Sequence, residues 1–241
     1  MQVSQIYISD SKADLPEYLA TCVAQVKKLY SEFEYHLYNQ ETLRQFIADH
    51  FDASVVSAFD TLKPYAYKAD LGKYCLLYAL GGWYFDISVK LVNAVSVPDD
   101  IDLLAFRDIQ QNSKTSWACG VAIMYAKPNN PVFQRAIDLV LANCQNHYYG
   151  INPLCTTGPV LFGQALAIQG ANTAHIFGDL CLTPENTESP AAFFAPDGTI
   201  VGLLKPTGHG GDLGSLGAQG TNNYGQMWGA KDIFNVSEKL N

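Results

Sequence analysis

The residues most able to do chemistry lie between Ala69 and Ser88, where polar side chains interrupt an apolar stretch. Asp70 and Lys73 stand three apart in a predicted helix, so they share one face. Asp86 and Ser88 stand two apart in a predicted strand, where alternate residues also share a face. A carboxylate beside a hydroxyl suits a hard cation such as Mg²⁺ or Mn²⁺, whose remaining ligands are phosphate and water. This spacing favours a site for a cation and a diphosphate.

Two interpretations of Asp70 and Lys73 remain open at this point. On an exposed face they would form a local ion pair that contributes about a few tenths of a kcal/mol. The helix that carries them is apolar nearly all round, however, and charged side chains in such a helix usually face a polar cleft or a specific partner. We favour the second interpretation.

The elements that must position these residues follow from hydrophobic periodicity. A strand over 3–8, a helix over 15–30 and a strand over 33–38 make a β-α-β opening, which is typical of a layered α/β fold with a largely parallel sheet. A buried helix over 65–80 begins after Pro64 and ends at a glycine pair, and a strand over 83–87 follows. This strand delivers Asp86 at its carboxyl end, where open α/β sheets bind ligands.

Similar patterns predict the remaining elements. Further strands are predicted at 103–106, 119–126, 173–177, 191–194 and 199–204, and further helices at 41–50, 53–62, 131–145 and 159–169. We expect one domain over 1–241, because no linker or internal repeat divides the chain.

The composition of the chain changes beyond residue 205, because eight of the 19 glycines fall between Gly208 and Gly229. Such a stretch resists regular structure, and 205–230 is therefore predicted to be a glycine-rich active-site loop that closes on a ligand. A loosely attached tail is the alternative. Anchoring side chains such as Trp228 and Phe234 argue against it.

Composition excludes several classes of function. The net charge of -8 has the wrong sign for nucleic-acid binding. No apolar run reaches the roughly 20 residues of a membrane span, and the N-terminus lacks the features of a signal peptide, so we expect a cytoplasmic protein. The six cysteines form no C-x-x-C pair and are expected to be reduced and buried. Dehydrogenase, NTPase and hydrolase motifs of the G-x-G-x-x-G, phosphate-loop and G-x-S-x-G types are missing.

The stretch from Ala69 to Val89 resembles the DXD-containing sugar-binding region of glycosyltransferases of the mannosyltransferase, α-1,4-galactosyltransferase and capsular-polysaccharide type, which are distantly similar to large clostridial glucosylating toxins. Those proteins carry S-D-x-x-R, a helix, then G-G-x-Y-x-D-x-D. This chain has Ala-Asp-x-x-Lys at 69–73 and Gly-Gly-Trp-Tyr-Phe-Asp-Ile-Ser at 81–88. The segments 5–8, 33–38 and 118–132 and the Thr-Gly-Pro at 157–159 also resemble the family, so the likeness covers most of residues 5 to 165.

The resemblance implies an α/β fold of the GT-A type, with a mixed central sheet and helices on both faces. It also implies a nucleotide-sugar donor, Mn²⁺ or Mg²⁺ as cofactor, and retention of anomeric configuration. Its catalytic residues would be Asp70, Lys73 and Asp86: Asp86 would bind metal and donor, Asp70 sugar hydroxyls, and Lys73 sugar or phosphate. The other implied donor-binding residues are Tyr7, which would stack on the nucleobase, Gly82, Ser88 and His209. Asp86, Ser88 and His209 would hold the metal.

Two departures from the family pattern matter physically. Ser88 replaces the second carboxylate, which weakens cation affinity. Lys73 replaces arginine and loses its planar bidentate fork. Lys90 could instead neutralise the diphosphate, or it could be a solvated surface lysine.

We therefore expect a retaining hexosyltransferase that uses a nucleotide sugar, with UDP favoured over GDP. Its acceptor would be a lipopolysaccharide or capsule precursor, met as a lipid-linked glycan at the inner face of the cell membrane through peripheral contact. The alternative is a catalytically weak or silent nucleotide-sugar-binding protein of the same fold, which the missing second carboxylate motivates. A host-directed glucosylating effector ranks below both.

Overall fold

The computed structural model describes residues 1–185, 187–207 and 211–235. Its strands are β1 (Gln2–Ile6), β2 (Glu34–Tyr38), β3 (Gly82–Phe85), β4 (Lys90–Leu91), β5 (Leu103–Arg107), β6 (Cys119–Ala126), β7 (His175–Leu182), β8 (Ala191–Phe194) and β9 (Ile200–Leu203). Its helices are α1 (Glu17–Leu29), α2 (Gln40–His50), α3 (Ala53–Thr61), α4 (Tyr65–Leu80), α5 (Gln110–Ser113), α6 (Pro131–Gln145), α7 (Pro159–Gln169) and α8 (Tyr224–Gly229). The predicted helices and strands are confirmed to within a few residues, whereas the sequence pattern does not predict β4, α5 and α8.

The nine strands form one mixed sheet in the order β2-β1-β3-β6-β5-β7-β8-β9-β4. β1 pairs in parallel with both β2 and β3, and β5 with β7, while the other five pairs are antiparallel. The mixed sheet is confirmed. The largely parallel sheet suggested by the β-α-β opening is wrong beyond β3, because β6 runs antiparallel between β3 and β5.

The sheet must curl strongly, because β3 and β4 are close in sequence and far apart in strand order. They occupy the third and last places, which would separate them by about 29 Å in a flat sheet. The link from Phe85 to Lys90 spans at most about 18 Å. The turn at 86–89 therefore bridges the opening of a curled sheet, and Asp86 lies on that turn.

Helices cover both faces of the sheet, as expected. On one face α2, α3, α4, α6 and α7 enclose the largest core, to which β3 contributes Tyr84. On the other face α1 contributes Val26 to a second core, into which Trp83 and Phe85 of β3 point. Strand alternation explains the division, since successive residues of β3 point to opposite faces.

The glycine-rich segment is partly ordered against the body of the protein, so the prediction that it lacks regular structure is wrong for α8. The Asp10 N–H donates to the Gly220 carbonyl (2.8 Å). The Asn222 side chain accepts from the Tyr65 N–H at the start of α4 (2.9 Å). Residues 208–210, including His209, lie outside the described residues.

All six cysteines are free, and five are buried as expected, whereas Cys181 is exposed. Across the described residues, no helix combines the length and apolar character that a membrane crossing requires.

Candidate active site

The candidate site lies at the edge of the sheet where β1, β3 and β5 end. β1 and β3 pair in parallel, and β6 runs antiparallel to both β3 and β5, so the three strands share one direction. Tyr7 follows β1, Asp86 follows β3, and Asp108 follows β5. Carboxyl ends of strands at such an edge are where ligands bind in open α/β sheets.

The ammonium group of Lys73 is the centre of the site. It lies 3.0 Å from Asp70 Oδ1 and 2.9 Å from Asp86 Oδ1, and it donates to the Val121 carbonyl at 3.1 Å. Lys73 is only 2% exposed. The pair with Asp70 is thus the predicted i, i+3 contact, but it is buried, and the exposed interpretation is wrong.

These contacts use all three N–H groups of Lys73. Burial by itself would lower the pKa of Lys73, but the charges of Asp86 and Asp70 raise it above its usual value. The lysine is therefore a permanent cation that links α4 to the end of β3. Direct contact with sugar or phosphate, as the resemblance implies, would require one of these bonds to break.

Asp86 has one engaged and one available carboxylate oxygen. Oδ1 accepts from Lys73 and from the Tyr84 hydroxyl, both at 2.9 Å, and the side chain remains 35% exposed. The backbone is held by the Asp86 N–H donating to the Ala122 carbonyl (2.7 Å). No described residue donates to Oδ2, which can therefore meet a ligand.

Ser88 lies in a turn instead of on the strand. The strand ends at Phe85, and the Val89 N–H donates to the Asp86 carbonyl (3.0 Å), which closes the turn. The prediction that Asp86 and Ser88 share a strand face is therefore wrong. Ser88 is half-buried, and its carbonyl accepts from the Tyr18 hydroxyl (3.4 Å).

Asp70 is fixed by the Thr-Gly-Pro segment at 157–159. Thr157 Oγ1 donates to Asp70 Oδ2 (2.8 Å), and the Tyr74 hydroxyl donates to the Thr157 carbonyl (2.7 Å). Burial and the charge of Asp86 raise the pKa of Asp70. The charge of Lys73 and the hydrogen bond from the Thr157 hydroxyl lower it, but the pKa remains above its usual value. Thr157 thus belongs to the site as a positioning residue, a role that the sequence pattern does not assign to it.

The structure brings Asp70, Lys73 and Asp86 together, and it places Tyr7 at the same edge. The Tyr7 ring packs against a small cluster that includes Ile87, the neighbour of Asp86. Gly82 lies at the other end of β3, about 13 Å away by strand geometry. Its φ is 91°, and a Cβ added there would collide with the Gln2 carbonyl oxygen, so close strand approach explains the glycine.

Lys90 does not face the cluster around Lys73. It pairs with Glu188 at 3.1 Å in a largely solvent-exposed contact. The structure therefore matches the interpretation of Lys90 as a surface lysine, and not the one in which it neutralises the diphosphate.

Asp108, at the end of β5, is a residue that no sequence signal predicts, whereas Tyr224, which packs on Tyr67 of α4, falls inside the predicted active-site loop at 205–230. Burial raises the pKa of Asp108 to about 6. Burial, followed by the charges of Asp70, Asp108 and Asp86, raises the pKa of Tyr224. No local motif marks either residue, because their positions depend on strand order and on the path of the C-terminal segment.

The described residues fit a metal ion only as one shared with a ligand. They contain no group of three or more His, Cys, Asp or Glu side chains that could hold a metal by themselves. Asp86 Oδ2 and the Ser88 hydroxyl supply one charged and one neutral oxygen. Mg²⁺ and Mn²⁺ sites commonly combine one or two carboxylates with substrate phosphates, so the donor set suits an ion that arrives with a diphosphate.

Comparison with known proteins gives matches to a family model, to a curated protein and to solved structures. Residues 16–110 match the model of a family described as "Glycosyltransferase sugar-binding region containing DXD motif". An uncharacterized glycosyltransferase of Acanthamoeba polyphaga mimivirus is 27% identical over 136 residues, which are 54% of this chain and 51% of that protein. The match thus spans about half the length of the viral relative.

The structure of the PaToxG glycosyltransferase aligns with a TM-score of 0.51 and 16% identity, over 69% of this chain and 67% of that chain. At this identity the likeness shows the fold alone, which is GT-A-like. The family match covers α4, β3 and the Asp70, Lys73 and Asp86 cluster. The family match and the viral relative are thus similarities to glycosyltransferases, and the structural match is a similarity in fold.

Proposed function

We propose that this chain is a glycosyltransferase of the kind that its DXD-type sugar-binding region resembles, and that it transfers a hexose from a nucleotide sugar to a glycan acceptor with retention of configuration. UDP is the favoured nucleotide. The observation that carries the proposal is Asp86, which a buried lysine holds at the carboxyl edge of β3 with one oxygen that no described residue engages. The donor would occupy this edge, with its diphosphate beside the turn at 86–89.

Each residue of the cluster then has a separate task. Asp86 Oδ2 would meet the donor at its diphosphate end, and Lys73 and Tyr84 fix the direction of that carboxylate. Asp70, fixed by Thr157, would accept hydrogen bonds from sugar hydroxyls. The Tyr7 ring, half-buried beside Ile87, offers a face for the nucleobase.

A divalent ion, Mn²⁺ or Mg²⁺, would be held by Asp86 and Ser88 together with the diphosphate. When bound it would stabilise negative charge on the departing diphosphate. His209 remains a proposed third ligand from the glycine-rich segment, and it lies outside the described residues.

The transfer breaks the bond between the anomeric carbon and the diphosphate oxygen and forms a bond to the acceptor hydroxyl oxygen. The acceptor would attack from the face that the leaving group vacates, and the acceptor proton would pass to the diphosphate. The site residues contribute by holding the reacting groups in place and by favouring charge on the leaving group as it develops. The products are the glycoside and the nucleoside diphosphate.

We propose a surface-glycan precursor, of the lipopolysaccharide or capsule type, as acceptor. A lipid-linked precursor would be met at the cytoplasmic face of the membrane by peripheral contact. The support for this acceptor is the sequence resemblance to capsular-polysaccharide transferases.

A thermal-shift panel with UDP, GDP and their hexoses, each with and without Mn²⁺, tests the proposal. Ligand at 100 times its dissociation constant stabilises the native state by about 2.7 kcal/mol, which corresponds to a rise of roughly 5–10 °C in Tm for a chain of this size. We expect that rise with UDP-hexose and Mn²⁺, together with slow release of UDP. No shift with any nucleotide would refute the proposal, and a response to GDP compounds alone would refute the choice of UDP.

Asp86→Asn and Asp138→Asn separate the site from the rest of the surface. Asp138 is exposed on α6, where Gln134 binds it. We expect Asp86→Asn to abolish both the Mn²⁺-dependent shift and UDP release, and Asp138→Asn to retain them. Wild-type behaviour of Asp86→Asn would remove Asp86 from its role.

A silent nucleotide-sugar binder is the second candidate, and Ser88 in place of a carboxylate is the observation that favours it. The two functions differ in one measurement. A rise in Tm with UDP-hexose, combined with no UDP release in the presence of any tested acceptor glycan or water, favours the binder.

A further inference from the structure

Two segments beside the candidate site carry exposed aromatic and apolar side chains. The first, 109–118, lies between β5 and β6 and carries Trp117, which is 52% exposed. The second, 146–158, lies between α6 and α7 and carries Tyr148 and Ile151, which are 44% and 73% exposed. Single exposed apolar residues are common on protein surfaces, whereas a group of them marks a binding surface.

The two segments are joined to each other, so these side chains belong to one surface. The Asn152 side chain donates to the Ser113 carbonyl (2.7 Å). Ala118, the neighbour of Trp117, packs with Cys155 in a small apolar cluster. The first segment therefore rests on the second through a hydrogen bond and an apolar contact.

Tyr148 is held against the same apolar cluster. A Cβ added to Gly150 would collide with the Cys155 side chain and would lie 3.3 Å from the Tyr148 ring, so both flank this glycine. Ile151 follows directly in the chain. We call Trp117, Tyr148 and Ile151 the aromatic surface.

The aromatic surface adjoins the candidate site through both of its segments. The first segment follows Asp108, at the carboxyl end of β5. The second contains Thr157, whose hydroxyl donates to Asp70 (2.8 Å), and its Pro153 carbonyl accepts from the Tyr67 hydroxyl of α4 (2.6 Å). A ligand on this surface would therefore lie next to the Asp70 side of the site.

The composition of the two segments favours a neutral ligand that is rich in hydroxyl groups. Together 109–118 and 146–158 contain five Asn and Gln residues, one Lys and one His, and they contain no Asp, Glu or Arg, although the chain has 23 acidic residues. Amide side chains both donate to hydroxyls and accept from them. Aromatic side chains offer apolar faces on which sugar rings can pack. A glycan combines these two kinds of surface.

Two other occupants fit the aromatic surface less well. Anionic membranes attract clusters of about four to eight Lys and Arg, whereas Lys114 is the single lysine of the two segments, which contain no arginine. A stable dimer buries about 800 Å² on each partner, whereas the three side chains together expose roughly 400 Å².

We propose that the aromatic surface binds a neutral glycan chain, the acceptor, and holds its reacting end beside Asp70. This inference rests on the proposed function. It adds an acceptor-binding surface to the donor cluster formed by Asp70, Lys73 and Asp86, and its three residues lie outside the family match at 16–110.

Calorimetric titration of the full chain with maltohexaose, cellohexaose and mannohexaose, each with UDP and Mn²⁺ present, tests the proposal. Vesicles of equimolar phosphatidylcholine and phosphatidylglycerol are the membrane probe, and light scattering measures the oligomeric state. We expect saturable binding of at least one hexasaccharide. Binding of none of the three, binding of vesicles in their place, or a dimer that Trp117→Ala dissociates would overturn the inference.

The thermal shift with UDP-hexose and Mn²⁺ separates this inference from the proposed function. A shift without glycan binding would refute the inference alone. Glycan binding without a shift would refute the proposed function, and with it the role of the bound glycan as acceptor. Neither response would refute both.

Trp117→Ala and Tyr148→Ala connect glycan binding to the named residues. Each should raise the Kd of the best hexasaccharide about tenfold, because a face for a sugar ring is lost, with little change in the Tm of the free protein. Trp117→Phe keeps an aromatic face and should restore most of the affinity. Leu182→Ala is the control, since Leu182 is 57% exposed on β7. An unchanged Kd in both alanine variants, or an equal rise in Leu182→Ala, would contradict the assignment.

Discussion

Lys73 Nζ lies 2.9 Å from Asp86 Oδ1, so a residue in the middle of α4 fixes the carboxylate that follows β3. The same ammonium holds Asp70 one turn earlier on the helix. Asp86 therefore owes its orientation to the helix and to Tyr84, and not to a second carboxylate two residues later. This internal cation explains how a chain with serine at position 88 keeps Asp86 in place.

Removing the ammonium should destabilise the fold. In Lys73→Met two carboxylates lose their partner in a largely buried setting, and breaking such a pair costs about 3–5 kcal/mol. Urea unfolding should show this loss as a lower midpoint with unchanged slope. Lys63→Met is the control, because the more exposed pair of Lys63 with Asp232 should contribute no more than about 1 kcal/mol. Equal losses in the two variants would contradict a special role for Lys73.

The Thr157 hydroxyl should matter more for donor binding than for folding. Thr157→Val removes the bond to Asp70 Oδ2 and leaves that buried oxygen without its donor, at a cost of about 1–3 kcal/mol. KM for the nucleotide sugar should rise while Thr157→Ser, which keeps the hydroxyl, restores it. Donor titrations of both variants at one temperature provide the comparison. A purely structural threonine would give equal KM values in both variants once each is folded.

Local sequence signals predict the frame of the site well. The predicted bounds of α4 match the observed ones because Pro64 and Gly81 mark the two ends of a long apolar pattern. The strand β3 follows directly. Asp86 at the end of that strand follows from the same signals. The turn at 86–89 has no such local signal, because it depends on the curl of the sheet, which returns β4 to the site.

The rest of the site depends on contacts between distant parts of the chain. Thr157 meets Asp70 across 87 residues, and Tyr224 reaches Tyr67 only because the glycine-rich segment folds back over α4. Glycine content predicts a loop there. It does not predict that Asn222 binds the start of α4 or that α8 forms after it.

Asp108 should make stability depend on pH in a defined window. Its pKa is about 6 in the folded protein and about 3.9 in the unfolded chain, so the unfolded state releases its proton first as pH rises. The free energy of unfolding should therefore fall between about pH 4 and pH 6, by about 1–3 kcal/mol. Asp108→Asn lacks this loss, and it should be more stable than wild type at pH 7.5 and equally stable near pH 4. Tm measured against pH for both proteins gives the difference, and a difference independent of pH would refute the assignment.

Gly211→Ala should weaken the packing of residue 211 and its neighbours against the Tyr224 ring. The φ of 75° disfavours any side chain at position 211, and a Cβ there would collide with the Tyr224 ring. Gly198→Ala separates the two effects, because Gly198 has a φ of 84° and no atom within 4 Å of its added Cβ. Hydrogen exchange should show lost protection over 211–229 in Gly211→Ala alone. Equal protection in both variants would mean that the contact with Tyr224 does not hold the segment.

Ser88→Asp should strengthen metal binding and make it independent of the nucleotide. The wild-type chain offers Asp86 Oδ2 and a serine hydroxyl, so an ion needs the diphosphate to complete its ligands. A second carboxylate adds a charged oxygen and should raise Mn²⁺ affinity about tenfold or more, an expectation based on the role of ligand charge in such sites. Calorimetric titration of Mn²⁺ with and without UDP measures this, with Ser88→Asn as the uncharged control. Tight Mn²⁺ binding by the wild type in the absence of UDP would show that the ion does not depend on the diphosphate, and that other ligands already complete the site.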